Sequence, residues 1–273
     1  MENTKFSDFF KSEIYNTKNY VIFNDPFKIW FITEGKIDLF LVKIKDGIIY
    51  GRRRFLFSLS ENNFVCGFSL IEYGEEYSLI GICSLGARLA AIDRNTAQKF
   101  ADNGNIELIT EVFDKTINKL FGQIVKIKDQ RRYRNPDGTE TMELEKDEIV
   151  LIENDVKWIK HISGESQILG ADDVFLKTGD DFFPVAQSYY VKCITDSTIV
   201  VKNTDEIFTD NDFFDRILSV FDKILIWFIK KSKITDEEDR DRIQEKITQE
   251  KLILQNSLKS LSEVMNPRAR INE

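Results

Sequence analysis

Histidine occurs once, at His161, and cysteine three times, at Cys66, Cys83 and Cys193. The side chains that most often bind zinc or pair as nucleophile and base are therefore almost missing. The cysteines are odd in number, lack CxxC spacing and sit among apolar neighbours. They are expected to be small buried hydrophobes in a reducing compartment. No HExxH, GxxxxGK[ST], GxSxG or GxGxxG occurs, and Glu34-Gly35-Lys36 lacks both the upstream glycine and the Ser/Thr of a phosphate loop. No catalytic residue, metal ligand or cofactor is predicted, and an enzyme is not expected. Long apolar runs are missing too: Ile217 to Ile229 is interrupted by Asp222 and Lys223 and is shorter than the roughly 20 residues of a membrane span. Met1 to Lys5 shows no basic region leading into an apolar one, so a soluble, cytoplasmic protein without membrane insertion is predicted. Excess positive charge is absent as well. The formal charge of −8 leaves no general phosphate-binding face, and nucleic acid is not an expected partner.

Phenylalanine is abundant instead, at 22 residues against four prolines and three methionines, a bias toward half-buried pleated surfaces. From Tyr20 to Ile92 short runs such as Lys28-Ile-Trp-Phe-Ile32 and Ile37-Asp-Leu-Phe-Leu-Val-Lys43 alternate with turn signals, among them Asn24-Asp25-Pro26 and Lys45-Asp46-Gly47. Seven or eight strands at this spacing predict a sandwich, barrel or jelly roll. The period then changes: Asn95-Thr96 can cap a helix, and Ile109, Val112, Phe113, Ile117, Leu120 and Phe121 form one amphipathic face.

Gln123 to Thr141 carries a basic run and the turn Asn135-Pro136-Asp137-Gly138, and reads as a linker. A second strand-rich region runs from about Met142 to Val201. After it, Thr209 and Asp212 start a helix whose apolar face is wide enough to place Trp227 at a domain or subunit interface. Strands-then-helix thus occurs twice, and Trp30 precedes Gly35 much as Trp158 precedes Gly164. This predicts an internal duplication with the two tryptophans in matching places. From Thr235 to Met265 the chain reads as a charged helix with a narrow leucine and isoleucine stripe.

Little else suggests chemistry. His161 lies in a strand-like run and reads as a structural or solvated residue. The pairs Asp172-Asp173, Asp180-Asp181 and Glu75-Glu76 read as solvated turns. Arg52-Arg53-Arg54 would place two guanidinium groups on one strand face, able to meet an acidic partner or phosphate.

Two small jelly rolls closed by helices resemble the cyclic-nucleotide-binding-like β-roll. In that family a Gly-Asp-x-Phe-Gly-Glu turn and short helix, then Arg-Ala-Ala, cradle the cyclic phosphate and ribose. Gly179-Asp180-Asp181-Phe182-Phe183 keeps the glycine and aspartate but lacks the Gly-Glu pair, and no arginine follows. Asn62 to Phe68 also lacks the glutamate, although Arg88-Leu-Ala-Ala-Ile92 is similar to the arginine stretch. Neither cradle has its full set of charge-assisted partners, so cyclic nucleotides are not expected to bind.

Trp30 to Phe40, Gly51-Arg52-Arg53, Phe55 to Ser58, Phe64 to Leu70 and Gly86-Ala-Arg88-Leu89 resemble the N-terminal region of NHLM-type bacteriocin exporters, ABC transporters for peptides with nitrile-hydratase-like leaders. The resemblance implies a transporter's membrane and ATPase part, or a cargo peptide, as partner. The expected architecture is mainly β with α. A first β-roll with its covering helix spans 1–125, a linker 126–141, a second roll with its helix 142–231, and a C-terminal helix 232–273. The expected role is a non-catalytic regulatory or recognition module, with ligand-binding residues unassigned. A small-ligand or cyclic-nucleotide-type sensor, or an oligomerisation module forming homo-oligomers, are the alternatives.

Overall fold

The computed structural model describes residues 14–16, 20–72, 75–93, 106–122, 124, 132–171, 174–208 and 216–231. The chain divides into a unit spanning 1–225 and a second spanning 226–273, of which 226–231 are described. The expected caps at Asn95-Thr96 and Thr209, the pair Asp172-Asp173 and the charged helix after Thr235 lie outside the described residues.

The protein is mainly β. In the first half the strands are β1 (Ile14–Asn16), β2 (Tyr20–Phe23), β3 (Lys28–Glu34), β4 (Lys36–Lys45), β5 (Ile48–Ser60), β6 (Phe64–Cys66), β7 (Ser69–Glu72), β8 (Glu75–Cys83) and β9 (Arg88–Asp93). They form two antiparallel sheets, β1-β9-β3-β6 and β2-β8-β4-β5, with β7 added against β8. Alternation sets the inner face: Ile37 and Leu39 of β4 are buried between polar or half-exposed neighbours, and Leu41 is buried beside half-exposed Phe40. Asp46 and Gly47 both take positive φ, 52° and 74°, and close the β4–β5 hairpin with a tight two-residue loop.

The second half repeats the connection order. Its strands are β10 (Glu140–Leu144), β11 (Ile149–Leu151), β12 (Lys157–Ser163), β13 (Glu165–Ile168), β14 (Phe175–Lys177), β15 (Phe183–Val185), β16 (Tyr190–Cys193) and β17 (Ser197–Asn203). They pair as β10-β17-β12-β15 and β11-β16-β13-β14. Counted from the first strand of each half, with β7 set aside, both halves read 1-8-3-6 and 2-7-4-5. Each is an eight-stranded double sheet of the jelly-roll kind. β10 begins at Glu140, inside the stretch expected to be a linker, and Arg134 before it bridges Val150.

The hairpin between the third and fourth strands is built alike in both rolls. Gly35 and Gly164 stand there at φ 81° and 85°. A Cβ on Gly35 would lie 2.9 Å from the Ala87 Cα, and one on Gly164 2.5 Å from the Asp196 carbonyl oxygen, so only glycine fits. The turn after the seventh strand clasps the hairpin in both cases: Ser84 N–H donates to the Lys36 carbonyl (2.8 Å), and Ile194 N–H to the Glu165 carbonyl (2.8 Å).

The tryptophans do not match. Both rolls carry a one-residue irregularity two places before the glycine, after Ile32 in β3 and after His161 in β12. Counting back from it aligns Trp30 with Ile159 and Trp158 with Ile29. The period-two pleat turns that one-residue offset into opposite faces. Trp30 packs inside its roll, edge-on to Phe23 at 5.2 Å, whereas Trp158 points outward.

Among the described residues three helices accompany the strands: α1 (Ile106–Phe121), α2 (Thr204–Phe208) and α3 (216–231). None of them is long and apolar enough to cross a membrane. Ile109, Val112, Phe113, Ile117, Leu120 and Phe121 of α1 are all buried. The helix lies between the rolls. Phe113 stacks on Phe64 of β6 at 5.7 Å and on Trp158 of β12 at 5.6 Å, both nearly parallel, and Phe221 of α3 joins at 6.1 Å from Phe64. Each such pair contributes about 0.5–1.5 kcal/mol beyond its area burial. Trp158 Nε1 donates to Thr204 Oγ1 (3.1 Å), and Thr204 donates to Asp114 of α1 (2.6 Å). Trp227 of α3 is 4% exposed, with the Lys231 ammonium 4.9 Å above its ring.

Candidate functional site

The two turns nearest to a phosphate cradle both precede the sixth strand of their roll. Gly179 to Asp181 lies between β14 and β15, and Asn62-Asn63 between β5 and β6. The connection that follows the sixth strand carries no helix among the described residues. In the second roll it is the turn 186–189, closed by Tyr189 N–H on the Ala186 carbonyl (3.3 Å). In the first it holds β7, whose residues pair with β8. Arg88 begins β9 and spends its charge on Glu34 at 3.2 Å, with both side chains about half exposed. The residues similar to a cradle are thus not brought together.

His161 is structural. It is 2% exposed, inside the second roll. Nδ1–H donates to the Ser163 carbonyl (3.3 Å), which leaves Nε2 to accept the Ser166 hydroxyl at 2.8 Å. Burial holds its pKa below the ordinary value, against the opposing pull of the Ser163 carbonyl and of Asp180 and Glu165. Cys66 and Cys193 are buried as expected, but Cys83 is only half-buried.

Two carboxylate readings change. Glu75-Glu76 belongs to β8 and not to a turn. Asp181 has fixed partners: it accepts the Phe182 N–H (2.8 Å) and Arg216 Nε (2.7 Å), and Lys160 stands 3.9 Å away. Burial pushes its carboxyl up, but these donors and cations outweigh it and hold the pKa below the usual carboxylate value. Arg216 comes from α3, distant in sequence, so nothing near Asp181 announced it. The arginine run changes as well. Leu41 pairs with Arg54 and Lys43 with Tyr50, so Gly51-Arg52-Arg53 bulges opposite Val42 and the simple alternation fails.

An open cleft of about 540 Å³ lies where the two rolls meet α1. The first roll supplies Ser60, Glu61 and Asn63, the helix Lys115, Asn118 and Lys119, and the second roll Gln187 and Tyr189. Its walls are fixed by bonds between rolls and helix. Gln187 N–H donates to Asn118 Oδ1 (3.1 Å), the Tyr189 hydroxyl reaches the Phe121 and Ile124 carbonyls, and Lys119 Nζ donates to the Ser58 carbonyl (3.1 Å). Burial first, then Lys36 and Lys115, lowers the Lys119 pKa. Asn63, 3% exposed, gives its amide hydrogens to the Ser60 and Glu61 carbonyls, while its Oδ1 has no donor among the described residues. None of these residues stood out in sequence, because they come from three separate stretches that are ordinary one by one.

The outer face of the β2-β8-β4-β5 sheet is the other notable surface. Ile22, Ile80, Phe40 and Phe55 form a row of cross-strand neighbours, with Phe40 and Phe55 edge to face at 5.5 Å. Tyr20 (53%) and Phe55 (52%) stay exposed beside the buried Val42, Ile44 and Ile80.

The sheets define a class: a mainly β protein with two rolls of jelly-roll order. No protein-family model and no curated protein matches the chain. Among solved structures it is similar to cAMP-bound PfPKA-R (141–441), at 12% identity and TM-score 0.28, over 78% of this chain and 79% of that one. It is similar to the regulatory subunit of a cAMP-independent protein kinase A from Trypanosoma brucei, at 16% identity and TM-score 0.27, over 81% and 84%. The CO-dependent transcription factor CooA from Carboxydothermus hydrogenoformans aligns at 18% identity and TM-score 0.28, over 33% and 47%. At such scores the likeness bears on nothing this chain binds, and the sheet order stands by itself.

Proposed function

We propose that the chain is a non-catalytic regulatory module of cyclic-nucleotide-binding-like fold, in which the rolls act as scaffold and the ligand is not a cyclic nucleotide. The observation that carries this reading is the connection after the sixth strand, a four-residue turn in one roll and an added strand in the other. Neither leaves room for the short helix and arginine that hold a cyclic phosphate in the family it resembles. Calorimetric titration with cyclic AMP and cyclic GMP should show no saturable binding; tight binding of either overturns the reading. The matched glycine hairpins support an origin of the rolls by duplication.

Two kinds of signal fit such a module. The cleft between the rolls favours a small ligand, since anything seated there touches both rolls and α1 at once. The apolar face of the first roll favours recognition of a peptide, in the setting of a bacteriocin-type exporter. That face includes Phe40 and Phe55, within the stretch that carries the resemblance. Fluorescence anisotropy with a labelled nitrile-hydratase-like leader peptide separates the two, because Phe55→Asp should abolish peptide binding and leave small-ligand binding unchanged.

A further inference from the structure

We infer that the cleft between the two rolls and α1 is a binding site for a small organic anion that also carries hydrogen-bond donors, a carboxylate or phosphate attached to a hydroxyl- or amino-bearing body. The inference rests on the sensor form of the reading above and names its site and its chemistry.

The chain is acidic as a whole, with a charge of −8, yet Lys119 is partly buried with Lys36 and Lys115 as its charged neighbours. Its bond in the cleft is to a neutral carbonyl, that of Ser58. Lys115 has a counter-charge in Glu111, one turn away on α1, and Glu61 on the opposite wall is turned to the Gly35 N–H at 3.4 Å. Partly burying an ammonium beside two others is unfavourable, and an anion bound between Lys115 and Lys119 relieves it through charge-assisted hydrogen bonds.

The rest of the ligand follows from the opposite wall. Ser60 and Glu61 there offer mainly acceptors, while the Asn63 carbonyl oxygen is closed off from the cleft, with no donor among the described residues. A bare anion would leave the Ser60 and Glu61 oxygens idle, whereas hydroxyl or amino groups would meet them. The volume of about 540 Å³ admits a molecule of metabolite size. Because Gln187 and Tyr189 belong to the second roll and Ser60 to Asn63 to the first, an occupied cleft ties the rolls together across α1.

The test is calorimetric titration of the full chain with L-glutamate, glucose 6-phosphate and inorganic phosphate. The first two distinguish a carboxylate from a phosphate source, and the third tests a bare anion. One of the organic probes is expected to bind saturably below about 1 mM and more tightly than inorganic phosphate. Lys119→Met should weaken that binding about tenfold or more without changing the circular dichroism spectrum. Gln187→Ala, at an exposed position on the other roll, should weaken it as well and serves should the lysine variant fail to fold. Binding that both variants leave unchanged overturns the cleft while leaving a sensor role standing. Saturation by none of the probes, or by inorganic phosphate alone, overturns the ligand class. Tight binding of a cyclic nucleotide overturns instead the reading on which the inference rests.

Discussion

Replacing Asp114 by asparagine should make the protein more stable near neutral pH and remove part of its pH dependence. Asp114 sits on α1 between the rolls, at the end of the chain of donors from Trp158 through Thr204. Burial raises its pKa from 3.8 to about 7, against the opposing hydrogen bond from Thr204, and Asp155 and Asp205 push the same way while Lys157 opposes them. The sign follows from the two states. Above 3.8 the unfolded chain has released the proton, whereas the folded chain keeps it until about 7, so stability falls as pH rises through that window and is level on either side. At about 1.4 kcal/mol for each tenfold change in the proton equilibrium, the ceiling is about 4 kcal/mol; Asp114 is only partly shielded from solvent, which reduces it to about 1–2 kcal/mol. The amide introduced by Asp114→Asn keeps the shape of the carboxyl, still accepts from Thr204 and carries no charge to bury. Urea denaturation of both proteins from pH 4 to pH 8 measures the difference. The variant should match the parent near pH 4 and exceed it by about 1–2 kcal/mol near pH 8. A gap that does not widen with pH refutes the argument.

Trp158→Ala removes a fully buried ring and its stack on Phe113, and should cost about 3–5 kcal/mol in urea denaturation; a loss below about 1 kcal/mol would mean that the column does not hold the rolls to the helix. Gly164→Ala should destabilise by clearly more than Gly86→Ala. Both glycines have positive φ, but only Gly164 has the turn after the seventh strand against it, so about 1 kcal/mol is expected for Gly86→Ala and several for Gly164→Ala. Equal thermal shifts would show that the hairpin is not closed against that turn. Cys83 should react with an alkylating reagent in the folded protein well before Cys66 and Cys193, as followed by intact mass, because the latter two are buried and burial raises the Cys193 pKa. Simultaneous modification of all three would contradict their burial.

The second roll shows why some strands were hidden from the sequence. β10 (Glu-Thr-Met-Glu-Leu) and β13 (Glu-Ser-Gln-Ile) carry too few apolar residues to read as strands, and both follow a turn signal. Only pairing with β17 and β16 makes them strands. The apolar stretch Phe64 to Leu70 is likewise divided between β6 and β7 at Gly67, where a Cβ would meet the Asp25 carbonyl at 1.8 Å. The arginine run failed as a face for a related reason, since a bulge shifts the pleat and is invisible to simple alternation.

By itself the sequence determined the strand-rich halves, the turn at Asp46-Gly47 and the buried face of α1. Each of these depends on neighbours within a few residues, through periodicity or backbone preference. The tertiary structure alone decided that Trp30 faces into one roll while Trp158 faces out of the other, because a one-residue difference in register reverses a strand and no local signal records it. It alone also assembled the cleft, whose walls Ser60 to Asn63, Lys115 to Lys119 and Gln187 to Tyr189 are brought together by helix α1 packing between the sheets. Such packing is a property of distant faces meeting, and no short stretch of chain encodes it.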